Sequence, residues 1–466
     1  MASSRRAMRP PHAAPTWIAV ILAVSLTPFA SALRYGQSEP PPKLDYASCA
    51  AEVEEWVEVQ MAETAEVQWQ REERSSSGEP SMPQTLFFLH VARAGGRTFH
   101  QCFLSVLMPS NVQCNMSYHV LRDDPTLGCR LLATHDDYGM TTHLPPGAAT
   151  GVTTLFREPL DRVLSMYEFS VHISGRSMGL DLKQLPDETL YAARRKMREH
   201  YRNLVPTDTR NVWPWTLLSI VMEEDLWDRR DFTGIPPPPV GFDEGRVDMY
   251  SRPHLVMPLR DFIELPLAFD VVHNGATFQL AGITNNSVLP EAKRLRQCVL
   301  QHPELGEEML KLAKARVDSL IHLGFTDRME ESIELLLAVL DRSFSSQAFT
   351  LPGKNPRGRC KKPKKSKKDK AGEMPWKSIR EQYMECLKDQ MELTQLNEMI
   401  AFRHMGPLKF SRKERAHIPA NVMKRIKELN ALDLELTEYA REKYTELLEK
   451  YRPMMETIND PSSDRC

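Results

Sequence analysis

The sequence predicts an α/β fold in which a parallel sheet is flanked by helices and the ligand lies beyond the carboxyl ends of the strands. Three observations carry that expectation. The stretch LFFLHVARAGGRTFHQCFL, residues 86–104, joins a short apolar run through a glycine-containing loop to a segment of helical spacing. A second apolar run, 131–134, leads into HDDYG, and a third, 152–156, leads into REPLDRVLSMYEF, where Pro159 suits a first helical turn. Strands alternating with helices in this way build parallel sheets.

Taken in order, the chain begins with Arg5, Arg6 and Arg9, an apolar run over 17–26 and an Ala30-Ser31-Ala32 cleavage site, which together read as a secretory signal peptide over 1–32. An uncleaved membrane anchor is the alternative, because the apolar stretch could continue to Leu33 and then falls just short of a span. Entry into the secretory route makes disulfides the expectation for the 8 cysteines. Cys114 and Cys129 bracket a short polar segment that they could staple, but eight cysteines allow 105 pairings and the sequence does not choose among them. Asn115 and Asn285 open glycosylation sequons. Residues 33–82 read as a lumenal linker holding one amphipathic helix over 45–74, with Trp56, Val59, Met61 and Val67 as its apolar pattern.

The main domain is expected over 83–345. Within it, 236–239 is a stiff run of prolines, and 291–340 reads as helices interrupted at Gly324, with Thr326 and Asp327 offering an N-cap. Composition then breaks. Residues 346–375 form a basic linker with ten Lys or Arg between Lys354 and Lys370 and no apolar periodicity, which reads as a disordered connector. The last segment, 376–466, is expected to be helical and to dock its stripe of Leu429, Leu432, Leu436 and Tyr439 on the core. Acidic and basic residues nearly cancel, at 62 against 60, so no global field favours nucleic acid.

The chemistry gathers at the strand ends. A strand, a tight loop and a helix start aim backbone N–H groups and the helix dipole at one place, which makes an anion site. Gly95 and Gly96 permit the turn and a close approach, while Arg93 and Arg97 add full charges. No glycine stands at the Walker spacing and no lysine precedes Thr98, which argues against an ATPase, a GTPase or a kinase. Arg157 at the tip of the third strand and Ser165, two helical turns on, could grip a second anion; the bland alternative is an arginine capping the sheet and a serine on a helix surface. Two anion sites at neighbouring strand tips fit a nucleotide with phosphates at both ends of its ribose.

These residues resemble the Golgi sulfotransferases that use 3'-phosphoadenosine 5'-phosphosulfate (PAPS). HVARAGGRT is similar to that family's 5'-phosphosulfate loop, PKTGGTT, and REPLDRVLSMY to its 3'-phosphate motif, RDPxxRxxSxY. FQLAGITNNS, AKARVDSLIHLGFTDRMEES and LNALDLELTEYA resemble blocks of the heparan sulfate 6-O-sulfotransferase branch. LLATHDDYG, VWPWTLL with EEDLWDRRD, and HNGATFQLAGITNNS resemble the plant-type tyrosylprotein sulfotransferases. The likeness runs from about Cys49 to Tyr444, with a gap across the lysine-rich tract. It implies the P-loop-like fold of the PAPS-dependent sulfotransferases with additional C-terminal helices, PAPS as co-substrate, and residence in the Golgi lumen.

The resemblance also assigns roles. Arg93, Ala94, Gly95, Gly96, Arg97 and Thr98 would hold the 5'-phosphosulfate, with Arg93 at the position of the family's loop lysine, and Arg157 with Ser165 would hold the 3'-phosphate. His135 is the expected base, since it follows the second strand and should emerge on the edge that carries both anion loops; the alternative is a structural histidine bound to Asp136 or Asp137. No metal is required. The expected partners are secreted peptides or proteins whose tyrosines lie among acidic residues, for which the basic run Arg194, Arg195, Lys196, Arg198 and Arg202 could serve, with Trp213 and Trp215 as candidate pocket walls or core. A glycan acceptor like that of the heparan 6-O group is one alternative, and an inactive nucleotide-binding scaffold is another. The C-terminal sequence RPMMETINDPSSDRC is too polar to span a bilayer, so membrane association is left open.

Overall fold

The computed structural model describes residues 43–76, 83–108, 113–114, 129–181, 218, 221–222, 225–226, 247–248, 250, 256–344, 383–390, 392, 408–410 and 412–459. The signal peptide, the Asn115 sequon, the 194–202 basic run, Trp213, Trp215, the 236–239 prolines and the lysine-rich tract lie outside the described residues.

The described strands are β1 (Thr85–Leu89), β2 (Leu131–Thr134), β3 (Thr150–Phe156), β4 (Val247–Asp248), β5 (His322–Phe325) and β6 (Leu408–Lys409). Four of them make one parallel sheet in the order β2-β1-β3-β5, while β4 and β6 form a separate parallel pair. Every residue of those four strands is buried, as continuous apolar and β-branched runs covered on both faces require. Leu89 stands opposite both Thr134 and Thr154, so β1 and β2 end level while β3 continues to Phe156. His90, His135 and Arg157 therefore leave the sheet on one edge.

The fourth strand corrects the sequence expectation. Residues 291–340 are not helices broken at Gly324: α5 (Ala292–Gln301) and α6 (Gly306–Asp318) are followed by β5, and only then by α7 (Met329–Phe344). Gly324 lies inside the strand, where an added Cβ would come within 2.6 Å of Ser332 and 2.8 Å of Leu155. Thr326 and Asp327 themselves lie in the 3-10 turn Thr326–Arg328 that joins β5 to α7, and its N-cap position, Phe325, has no side-chain cap. Ser332 does related work from the next helix, accepting the Phe325 N–H at 2.9 Å. His322 donates from Nε2 to the Ser332 carbonyl and accepts at Nδ1 from the Thr153 hydroxyl, and burial draws its pKa down to about 4, so the strand is pinned by a neutral imidazole.

Helix α1 (Tyr46–Ser76) starts with the Asp45 carboxylate accepting the Ser48 N–H, an N-cap. Cys49, Val53 and Val57, spaced four apart, form its buried stripe, packed with residues of α5 and α6. Val59 and Met61, counted in the apolar pattern from sequence, are exposed instead. A Cys49–Cys298 disulfide and hydrogen bonds from Arg71 to the Ser319 and Thr150 carbonyls fasten the helix to the body that contains the sheet. Two further disulfides, Cys102–Cys386 and Cys114–Cys129, are present, the latter stapling the segment expected from sequence.

Near the C-terminus, α8 (Ala420–Leu429) leads into α9 (Ala431–Asn459). Leu436, Ala440 and Tyr444 of α9 join the main core, with Leu432 and Tyr439 partly buried beside them. A buried ion pair fixes the docking: Asp433 accepts from Arg162 at 2.6 Å and also takes the N–H groups of Ala276 and Thr277, at the start of α4 (Gly275–Ala281). A carboxylate at a helix N-terminus is favourable electrostatically. The second arginine of REPLDRVLSMY is thus a structural residue. Among the described residues, no helix is long and apolar enough to cross a membrane.

Candidate active site

The loop after β1 is shaped by two left-handed residues, Arg93 with φ 64° and Gly95 with φ 75°. Such a conformation is natural for glycine and costs an L-residue roughly 1–2 kcal/mol, so Arg93 needs fastening. It has it. Arg157 Nη1 donates to the Arg93 carbonyl at 3.2 Å, while Arg93 Nε and Nη2 donate to Ser165 Oγ at 3.1 and 3.0 Å. The guanidinium also lies over the Phe169 ring, 4.2 Å from its centroid. Gly96, the first residue of α2 (Gly96–Phe99), packs so closely on His90 that a Cβ would overlap the imidazole at 2.1 Å. The close approach foreseen for the glycine pair is made, at Gly96, to a side chain. The helical run continues through one π turn, His100–Leu104, to Leu107.

Ser165 and Phe169 belong to α3 (Pro159–Asp181), which starts two residues after Arg157. Asp161, Ser165, Glu168, Phe169 and His172 recur at the three- and four-residue spacing that gathers side chains on one helical face. Of the residues read from the sequence as parts of two anion grips, Arg93 therefore touches both Ser165, through its guanidinium, and Arg157, through its carbonyl. Burial lowers the pKa of Arg157 and draws that of Arg93 down to about 10, with the neighbouring Arg157 charge adding to the shift, and both stay protonated at neutral pH. Ala94 is buried, Thr98 half-buried and Arg97 exposed on the first turn of α2, close enough for its charge to act on Arg93.

His135 leaves β2 beside this cluster. Its Nδ1 sits 2.8 Å from the His90 carbonyl oxygen, and its ring stacks on His90 with 3.7 Å between centroids. A carbonyl only accepts, so Nδ1 carries the proton and Nε2 the lone pair. Burial, joined by the Arg93 charge, draws the His135 pKa down to about 3 and leaves the imidazole neutral. The two aspartates that follow are occupied as well: Asp136 accepts from the Thr134 hydroxyl at 2.7 Å, and Asp137 accepts from Gly139 N, Thr284 N, Thr284 Oγ1 and Ser287 Oγ.

Three residues outside the sequence-based set complete the arrangement. His90 supplies both the stacking partner and the carbonyl that fixes the His135 tautomer. Gln279 on α4 donates its side-chain amide to the carbonyls of His90, His135 and Asp136, clamping the ends of β1 and β2 together. His172 on α3 is a further buried imidazole, drawn down to about 4 by burial and by the Arg93 charge. Gln279 had a visible signal, a lone amide in the apolar run ATFQLAGI. His90 had a weaker one, a polar residue closing a buried strand.

The edge of the sheet thus presents guanidinium groups from two loops, a helix start and a neutral imidazole of defined tautomer. That set can bind a polyanion and accept a proton. No protein-family model and no solved structure matches the chain. A search of curated proteins finds the protein-tyrosine sulfotransferase of Arabidopsis thaliana, 34% identical over 429 residues that cover 86% of this chain and 81% of the relative. This chain belongs to the plant-type protein-tyrosine sulfotransferase family.

Proposed function

We propose that this chain moves a sulfuryl group from PAPS to the hydroxyl of tyrosines in secreted peptides or proteins, within the Golgi lumen. The observation that carries the reading is the meeting of Arg93, Arg157 and Ser165 around one bend, which offers a grip to a nucleotide bearing anions at both ends of its ribose. A phenol of pKa ~10 is ionised about one part in a thousand at pH 7, a deficit of roughly 4 kcal/mol. His135 Nε2 takes that proton as the phenol oxygen bonds to sulfur. The bond between sulfur and the bridging oxygen breaks, and the electron pair leaves with the phosphate of adenosine 3',5'-bisphosphate. Arg93 neutralises the charge that develops there, because a permanent cation able to meet two oxygens suits an acidic leaving group that needs no proton. Arg97, Thr98 and the loop amides hold the sulfonate and 5'-phosphate. The disulfides and the exposed Asn285 sequon fit a protein matured in the secretory route.

Incubation with labelled PAPS and an acidic tyrosine peptide should give labelled peptide, and a polysaccharide acceptor should stay unlabelled. His135→Ala should lower turnover at least a hundredfold, in the range of general-base losses, with nucleotide affinity within a few-fold of wild type. Arg157→Ala should do the reverse and weaken nucleotide binding in calorimetry. Undiminished turnover in the histidine variant would remove the base assignment, and labelled glycan without labelled peptide would replace the acceptor.

A further inference from the structure

Two carboxylates sit where a phosphate dianion is least welcome. Asp161 and Glu168 share the α3 face with Ser165, and both act electrostatically on Arg157. Taken alone, they would cancel the charges of Arg93 and Arg157 and leave the proposed 3'-phosphate grip with no net attraction.

A third arginine changes that balance, and it comes from the far end of the chain. Arg415 ends a short helix, Arg412–Arg415, close to β6. Its Nε and Nη2 donate to Glu168 Oε1 and Oε2, each at 2.9 Å, and its Nη1 donates to Asp161 Oδ1 at 2.6 Å. The fork on Glu168 is the bidentate geometry that guanidinium forms best. Tyr250 adds a fourth bond, donating its hydroxyl to Glu168 Oε1 at 2.8 Å. Arg415 and Glu168 are largely buried, with side-chain exposures of 18% and 16%, so their pairing is poorly screened by solvent. The Arg415 charge also reaches Arg157.

We propose that Arg415, supplied by the C-terminal segment, completes the nucleotide site by neutralising Asp161 and Glu168, so that a nucleoside 3',5'-bisphosphate meets a face of net positive charge. It is a positioning residue, acting through the two carboxylates. The inference rests on the reading of Arg157 and Ser165 as the 3'-phosphate grip. It makes the donor site a product of both ends of the sequence, and it ascribes to the segment after the basic tract a part in binding beyond packing.

The test is calorimetry of the full chain with adenosine 3',5'-bisphosphate at low ionic strength, with adenosine 5'-phosphate as the probe lacking the 3' group. Arg415→Gln should weaken the bisphosphate about tenfold or more, leave the monophosphate within a few-fold, and lose much of the difference in high salt. The neutral triple variant Asp161→Asn/Glu168→Gln/Arg415→Gln should regain most of the lost affinity. Equal bisphosphate affinity in wild type and Arg415→Gln overturns the proposal, as does a triple variant no better than the single, which would make Arg415 a tether only. Should Arg415→Gln not fold, Asp161→Asn/Glu168→Gln with Arg415 retained takes its place: it should bind the bisphosphate at least as tightly as wild type, and weaker binding overturns the proposal. Wild type that binds no bisphosphate at all removes the functional reading and this inference together, whereas wild-type binding without a variant effect removes this inference alone.

Discussion

His135 carries two opposed demands. Burial and the Arg93 cation hold its pKa near 3, which keeps the imidazole neutral at every physiological pH but makes it a weak base. A bound donor would relieve the smaller of the two causes, because its anionic groups would pair with Arg93 while the burial of the ring remains. As the proposed base, His135 should therefore gain strength when the donor is in place. The pH profile tests this directly. In the role proposed for it His135 acts deprotonated, so activity falls as pH drops through its pKa, and that acid limb should lie at higher pH in kcat, which reports the complex, than in kcat/KM for the donor, which reports the free enzyme. Coincident limbs would show that the donor leaves the imidazole as it is. His90 and Gln279 belong to the same scale, since they fix the tautomer and the backbone from which the ring projects.

At the scale of elements, the turn after β2 is held by one carboxylate. Asp137 caps the 3-10 helix Tyr138–His143 and accepts four hydrogen bonds, two of them from Thr284 near the end of α4. Burial outweighs those bonds and raises its pKa from 3.8 to about 6. The sign follows: between those two values the folded protein holds a proton that the unfolded chain has released, so the stability tied to Asp137 declines as pH rises through that window. Asp137→Asn replaces one acceptor oxygen with a donor facing donors and should cost about 1–3 kcal/mol. In urea unfolding, the gap between wild type and variant should be wider at pH 5 than at pH 7, and an equal gap would mean that Asp137 does not titrate there. How much of this was legible in the sequence differs from element to element. Strands β1, β2 and β3 show themselves as compact apolar or β-branched runs, and the loops that follow them carry their charges openly. Strand β5 does not: in His322-Leu323-Gly324-Phe325 the glycine reads as a helix break, and the histidine becomes a strand residue only through Thr153 and Ser332, partners far away or on the next helix. Arg93, Arg157 and Ser165 could be named from sequence, but their meeting at Arg93 depends on a left-handed arginine that no pattern announces.

For the whole molecule, the C-terminal helices are structural members of the enzyme. Arg162 of α3 and Asp433 of α9 are both buried, and their pairing ties α3, α4 and the C-terminus at one point. Asp433→Ala strands a buried guanidinium and the start of α4, and an unfolding free energy lower by about 3–5 kcal/mol is expected from chemical denaturation; a loss under 1 kcal/mol would mean that the helices hold without it. The apolar stripe of α9 was readable from periodicity, whereas its anchor was not, because an aspartate in LNALDLELTEYA looks like any solvated face until its partner is seen. The Cys102–Cys386 bond has a topological side too. It closes the backbone between those residues into a covalent ring, from the helix behind the glycine loop to the segment that leads to Arg415. A single peptide cleavage anywhere inside that ring opens it without freeing a fragment, so a nicked molecule keeps its mass until a reductant separates the pieces.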